Sequence, residues 1–202
     1  IAESLRLAGV VKGDRIVGYL PNCPEAIVAM LASASIGAIW SSCSPDFGFQ
    51  GVVDRFGQIR PKVLFCIDSY SYNGTIHKML NAVKDIVNVI DCIEHTVIVP
   101  FSSQDFRLDD IRGAIRWNNF AAKNAALEFT QVEFDHPLYI MYSSGTTGIP
   151  KCIVHGVGGT LLQHQKEHVL HVERGHVLVV HHARADLAQD DDHALRKIGA
   201  PH

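Results

Sequence analysis

The sequence lacks a charge block of either sign. Its 202 residues carry 18 Lys and Arg against 21 Asp and Glu, a net charge of -3. A nucleic-acid surface or an anionic-membrane patch needs clustered basic residues, so both partner classes are disfavoured. Cysteine is scarce and scattered. Cys23, Cys43, Cys66, Cys92 and Cys152 form no CxxC pair, which argues against a disulfide framework or a cysteine zinc site and fits a reducing, cytosolic compartment. Long apolar runs are missing too. The uncharged stretch 26–45 comes nearest, but it holds five serines and Gly37, whereas a membrane span needs about 20 predominantly apolar residues. The opening IAESLRLAGV has no charged n-region followed by an apolar stretch. It reads as the end of an amphipathic helix rather than a signal peptide, and we expect sequence upstream of Ile1.

What is present is alternation. Helices are read at 2–7, at 24–36 (opened by Pro24 and stopped by Gly37), and at 50–59 with Val52, Val53, Phe56 and Ile59 on one face. A further helix is read at 76–87 from the alignment of Leu80, Val83 and Val87, another at 111–122, and a last one at 158–170. Between them lie short apolar strands at 15–20, 38–42, 63–67, 96–99, 137–142 and 152–154. The pattern predicts an α/β fold with a mostly parallel sheet flanked by helices on both faces. Such sheets place ligands at the carboxyl ends of their strands. Trp40 and Trp117 are assigned to packing, Asp46 to a turn and Asp54 to a helix surface. Cys152, with no evident activating base, is read as a small buried side chain.

The strand at 137–142 runs into Tyr142-Ser143-Ser144-Gly145-Thr146-Thr147-Gly148-Ile149-Pro150-Lys151. Two glycines let the backbone turn sharply and approach a ligand. Successive backbone N–H groups then form an anion nest, four hydroxyls add donors and Lys151 adds a fixed charge. A polyphosphate needs this combination. It is not the G-x-x-x-x-G-K-[ST] loop of mononucleotide-binding folds, because Pro150 stands in place of the second glycine and Cys152 in place of the metal-binding hydroxyl.

YSSGTTGIPK resembles the phosphate-loop signature of the adenylate-forming superfamily, which includes acyl-CoA synthetases, luciferases and nonribosomal peptide adenylation domains. Gly13-Asp14-Arg15-Ile16-Val17 and Leu20-Pro21-Asn22 resemble the opening of these domains. Ser44-Pro45-Asp46-Phe47-Gly48, Asp54-Arg55-Phe56, 59–65 (IRPKVLF), 70–74 (YSYNG) and 155–171 (HGVGGTLLQHQKEHVLH) resemble the acetoacetyl-CoA synthetase family in particular. The resemblance implies a partial N-terminal adenylate-forming domain at 1–171. It also implies ATP, Mg2+ and coenzyme A as reactants and cofactors, and a short-chain acid, acetoacetate, as substrate. By resemblance Ser143, Ser144, Gly145, Thr146, Thr147, Gly148 and Lys151 bind the nucleotide, with Lys151 and Thr146 acting in catalysis. The family's acidic magnesium-linked motif, ribose-binding aspartate and catalytic lysine of the C-terminal domain are not recognisable. We therefore expect the chain to be incomplete and unable to complete acyl-CoA synthesis alone. The alternative is a noncatalytic, truncated nucleotide-binding fragment.

Nine of the 12 histidines lie from His155 onward, and 172–202 keeps no clean period, so that stretch is read as a solvated, disordered tail outside the family domain. His164-Gln165-Lys166-Glu167-His168 also matches the H-x-x-E-H metalloprotease pattern. An exposed polar helix face accounts for the same spacing.

Overall fold

The computed structural model describes residues 1–101, 106–122, 125–143 and 148–173. The chain divides into two units, Ile1–Val157 and Gly158–His202.

In the first unit, α1 (Ala2–Leu7) leads to β1 (Arg15–Tyr19), α2 (Pro24–Ser35) and β2 (Ile39–Cys43). Then come α3 (Phe49–Ile59), β3 (Val63–Ile67), the hairpin β4 (Ser69–Tyr72) and β5 (Thr75–Lys78), and α4 (Leu80–Val89). They are followed by β6 (His95–Val99), β7 (Ala114–Arg116), the short α5 (Trp117–Phe120), β8 (Pro137–Tyr142) and β9 (Cys152–Gly156). Among the described residues seven strands form one sheet in the order β7-β6-β3-β1-β2-β8-β9. All neighbours in it are parallel except β8 and β9, which pair antiparallel.

The central strands are largely apolar because both of their faces are covered. Every residue of β3 is buried, as are 16–19 of β1 and 96–99 of β6. Helix α3 turns Val52, Phe56 and Ile59 inward, and α4 turns Val83, Ile86 and Val87 inward. α2 ends in a Schellman motif, with Gly37 N bonded to Ala34 O, Ala38 N to Ser33 O, and Gly37 at φ 72°. Phe65 of β3 anchors an aromatic cluster. Its ring meets Trp117 at 5.8 Å and Phe120 at 6.0 Å edge-on, and Trp40 at 6.4 Å.

Chain direction explains where a ligand can enter. The connection leaving β1 runs outward to β2, whereas the one leaving β2 runs back over β1 to β3. Parallel crossovers are right-handed, so α2 and α3 cover opposite faces. The connections leaving β1 and β3 diverge, to β2 on one side and to β6 on the other, so the switch point lies between the carboxyl ends of β1 and β3, where doubly wound sheets form a crevice.

Three expectations need correction. The helix read from 76 begins only at Leu80, because Tyr70–Tyr72 and Thr75–Lys78 segments pair across the turn Asn73-Gly74, both at positive φ (48° and 74°). The helix read at 111–122 is cut short: β7 adds three residues to the sheet beside β6, and α5 keeps only four. Gly113, at φ 63°, breaks it, since a Cβ there would lie 2.2 Å from the Glu94 carbonyl oxygen. Cys152 is exposed, not buried, because β9 is the outermost strand and shows solvent four residues in a row.

The second unit holds most of α6 (Val157–Glu167), followed by a π-helical turn at His168–Glu173. His164 and His168 are exposed. Glu167 accepts from Gln163 Nε2 at 2.6 Å and faces His171 at 3.2 Å. Of the tail read at 172–202, residues 174–202 lie outside the described residues. No helix among the described residues is long and apolar enough to cross a membrane.

Candidate functional site

The Gly/Ser/Thr-rich segment is the loop of the β8–β9 hairpin. The ladder ends at the pair Tyr142 and Cys152, and one further bond, Ser143 N to Lys151 O at 3.0 Å, closes the loop's base. Ser143, Gly148 and Lys151 are described; Ser144, Gly145, Thr146 and Thr147 lie outside the described residues. Gly148 sits at φ 143°, a backbone region that disfavours side chains. Lys151 is exposed, and among the described residues no hydrogen bond or ion pair engages its ammonium. The carboxyl end of β8 thus lies beside Gly148 and a cation that has no partner among the described residues.

Both stems of this hairpin are gripped. Ser41 of β2 donates to Ile140 O at 2.7 Å and lies 3.2 Å from the Tyr142 hydroxyl. Burial pushes the Tyr142 phenol well above its usual range, so it stays protonated and neutral. Arg55 of α3 lays its guanidinium over Phe47 at 4.3 Å and over Tyr142 at 5.8 Å, and donates to Gly51 O at 2.7 Å. One turn further on, Gln58 Nε2 donates to Pro150 O at 2.9 Å, and Cys152 Sγ donates to Gln58 Oε1 at 3.6 Å. Desolvation also raises the Cys152 thiol pKa. A raised pKa disfavours the thiolate, so Cys152 is exposed yet not an activated nucleophile.

Beside β2 lies a cleft of about 320 Å³. Its walls are the end of β1 (Leu20, Pro21 and Asn22), the end of β2 with its following turn (Ser42 to Asp46), and the hairpin residues Tyr70, Ser71 and Tyr72. Tyr19 fixes the turn from below. Its buried hydroxyl lies 2.6 Å from Phe47 O and 3.1 Å from Pro45 O, and burial raises its pKa to about 12. Ser44 and Asp46 hydrogen-bond to each other on the exposed rim. Asp54 receives the Gln50 amide at 2.6 Å on α3.

Sequence reasoning located the loop and its lysine. It missed the two α3 residues that grip the stems and the hairpin wall of the cleft. The hairpin had a local signal in Asn73-Gly74. Gln58 had none, because its partners lie 92 and 94 residues away. Among the described residues no group of three His, Cys, Asp or Glu side chains could hold a metal ion, the His164–Glu167–His168 face included.

Comparison with known proteins adds an independent finding. Residues 1–184 match the family model described as AMP-binding enzyme. Acetoacetyl-CoA synthetase of Rattus norvegicus is 50% identical over 177 residues, covering 84% of this chain and 26% of that protein. Malonamoyl-CoA synthetase vrtB of Penicillium aethiopicum is 45% identical over 176 residues, covering 83% of this chain and 24% of that one. The solved structure of acetoacetyl-CoA synthetase from Streptomyces lividans superposes with a TM-score of 0.80 at 42% identity, over 85% of this chain and 26% of that one. The chain therefore spans about a quarter of the length of the relatives it matches.

Proposed function

Because this chain belongs to the AMP-binding enzyme family, we propose that it supplies the phosphate-binding part of an AMP-forming acid–CoA ligase. The observation that carries this is the closed hairpin base that presents Lys151, with its ammonium unengaged among the described residues, beside Gly148. Its position at the carboxyl end of β8, the strand paired with β2 whose end lines the cleft, suits a reaction that brings a polyphosphate and a second reactant together.

The chemistry follows from the charges. A carboxylate oxygen of the acid attacks the α-phosphorus of ATP, and the bond to the bridging oxygen breaks, so pyrophosphate leaves with the electron pair. The coenzyme A thiol then attacks the acyl carbon, and AMP leaves. Charge builds on the departing pyrophosphate in the first step. Lys151 and the donors of the loop, Ser143, Ser144, Thr146 and Thr147, offset it, while Gly145 and Gly148 let the backbone come close. Lys151 and Thr146 are the residues we assign to catalysis. Magnesium accompanies ATP in such chemistry, but the described residues offer no acidic ligand set for it, and we route no step through it.

Acetoacetate is the first acid to test, because acetoacetyl-CoA synthetases of several organisms match at close to half identity. The malonamoyl-CoA synthetase match at 45% keeps the acyl group open to related short acids. The second reading, a noncatalytic nucleotide-binding fragment, is favoured for this chain in isolation by its coverage of about a quarter of those relatives. Pyrophosphate release separates the two. We expect the isolated 202-residue chain to bind MgATP and to release no pyrophosphate when acetoacetate and coenzyme A are added. Sustained acetoacetate-dependent release would show that these residues suffice for turnover.

A further inference from the structure

Lys151 is flanked by two residues tied to a single side chain on a distant helix. Gln58 Nε2 donates to Asp54 O at 2.6 Å within α3 and to Pro150 O at 2.9 Å across 92 residues, and Gln58 Oε1 accepts from Cys152 Sγ at 3.6 Å. The carbonyl of Lys151 itself is taken by Ser143 N. The backbone before, at and after Lys151 is therefore fixed, while its ammonium has no partner among the described residues. Pro150 is buried and carries no N–H, so its carbonyl is a rigid handle.

We propose that Gln58 is a positioning residue for the phosphate loop: it clamps the exit stem so that Lys151 is held ready for the ligand's phosphates. The proposal rests on the phosphate-loop reading above. The residue type matters. A glutamine amide offers two N–H donors, for the Asp54 and Pro150 carbonyls, and one oxygen, for the thiol. Glutamate lacks the donors at neutral pH, and lysine or arginine lacks the acceptor. Arg55, one turn earlier, rests on Tyr142 at the entry stem, so α3 touches both ends of the loop. A stem ordered before binding spares the ligand the cost of ordering it, which converts directly into affinity.

The test uses the full 202-residue chain as wild type, Gln58→Ala, Lys151→Ala and the double variant. Each is titrated calorimetrically with MgATP and with inorganic pyrophosphate, and melted without ligand. Gln58→Ala is expected to weaken both ligands by about fivefold to tenfold, the worth of roughly one hydrogen bond, with the melting midpoint lowered by only a few degrees. If Gln58 acts through Lys151, the double variant binds like Lys151→Ala alone. Additive losses in the double variant would mark a merely structural role and overturn the proposal. Binding lost in Lys151→Ala but retained in Gln58→Ala would overturn the clamp alone. A wild-type chain that binds neither ligand would overturn the phosphate-loop reading, and the clamp with it. Should Gln58→Ala not fold, Gln58→Met, of similar length without the amide, carries the same expectation. Failure of both to fold would assign Gln58 to stability and refute the proposal.

Discussion

Replacing Gly18 by alanine tests the packing of β1 against the Trp40 indole of β2. Gly18 lies inside β1, and an added Cβ would sit 2.7 Å from both Cη2 and Cζ2 of the Trp40 indole. That is about 0.7 Å short of the 3.4 Å at which ordinary contact begins. The indole has little room to retreat. Trp40 is buried at 6% exposure and lies against Phe65, whose ring is wedged by Trp117 and Phe120. Overpacking of this kind costs about 1–3 kcal/mol. The backbone at Gly18 is not in a positive-φ region, so alanine also gains about 0.4–1 kcal/mol by restricting the unfolded chain. The net is a loss of roughly 0–2.6 kcal/mol. In a domain of this size it corresponds to a midpoint lowered by up to about 10 °C. Guanidinium unfolding followed by tryptophan fluorescence reads the change, and Trp40→Phe in the Gly18→Ala background should recover part of it. The two terms have opposite signs, so the outcome is decisive. A Gly18→Ala chain more stable than wild type would mean that the indole does not cover β1 as described.

Other expectations follow from the same contacts. Tyr19→Phe removes the hydroxyl from the Pro45 and Phe47 carbonyls and should lower stability by about 1–2 kcal/mol in urea denaturation. Burial raises the folded-state pKa of Tyr19 from 10.0 to about 12 and that of Cys43 from 9.0 to about 12. A raised pKa stabilises the fold fully below the unfolded value and is lost as pH climbs through the folded one. Stability should therefore decline between about pH 9 and pH 12, and less steeply in Tyr19→Phe; a flat profile over that window would contradict the burial of these groups. Arg55→Ala loses the stacking on Phe47 and Tyr142 and should cost about 0.5–1 kcal/mol by the same denaturation assay. Arg55→Lys should restore only part of it, because an ammonium lacks the planar stacking surface.

The buried strands were the most legible features. VLFCI and RIVGYL are apolar runs too short for a helix and covered on both faces, and both appear as strands within a residue of the reading. Gly37 marked its helix end because only a residue tolerant of positive φ completes that Schellman cap. Errors arose where a local pattern ran past its true boundary. Ile76 fell in phase with Leu80 and Val83 and drew the helix reading over a strand, although Asn73-Gly74 just before it is the stronger signal for a hairpin. At 111–122 a single helix is read, but Gly113 and pairing to β6 reduce it to four residues, and strand pairing over that distance leaves no trace in a local window. The site divides in the same way. A phosphate-binding loop can be proposed from sequence because its ten residues are contiguous. The clamp from Gln58, the stacking of Arg55 and the hairpin wall of the cleft come from chain segments brought together only by folding. Cys152 reads as buried because the sequence shows no activating base for it, yet it is exposed on the edge strand together with Ile153 and Val154.

The most direct test of the central claim is calorimetric titration of the purified chain with MgATP beside Lys151→Ala. Removing a charge-assisted phosphate contact is worth about 1.5–3 kcal/mol, so affinity should fall roughly 10- to 100-fold while the melting midpoint stays put, since Lys151 is exposed. Equal MgATP affinity in the two proteins would contradict the assignment of this hairpin loop as the phosphate-binding element.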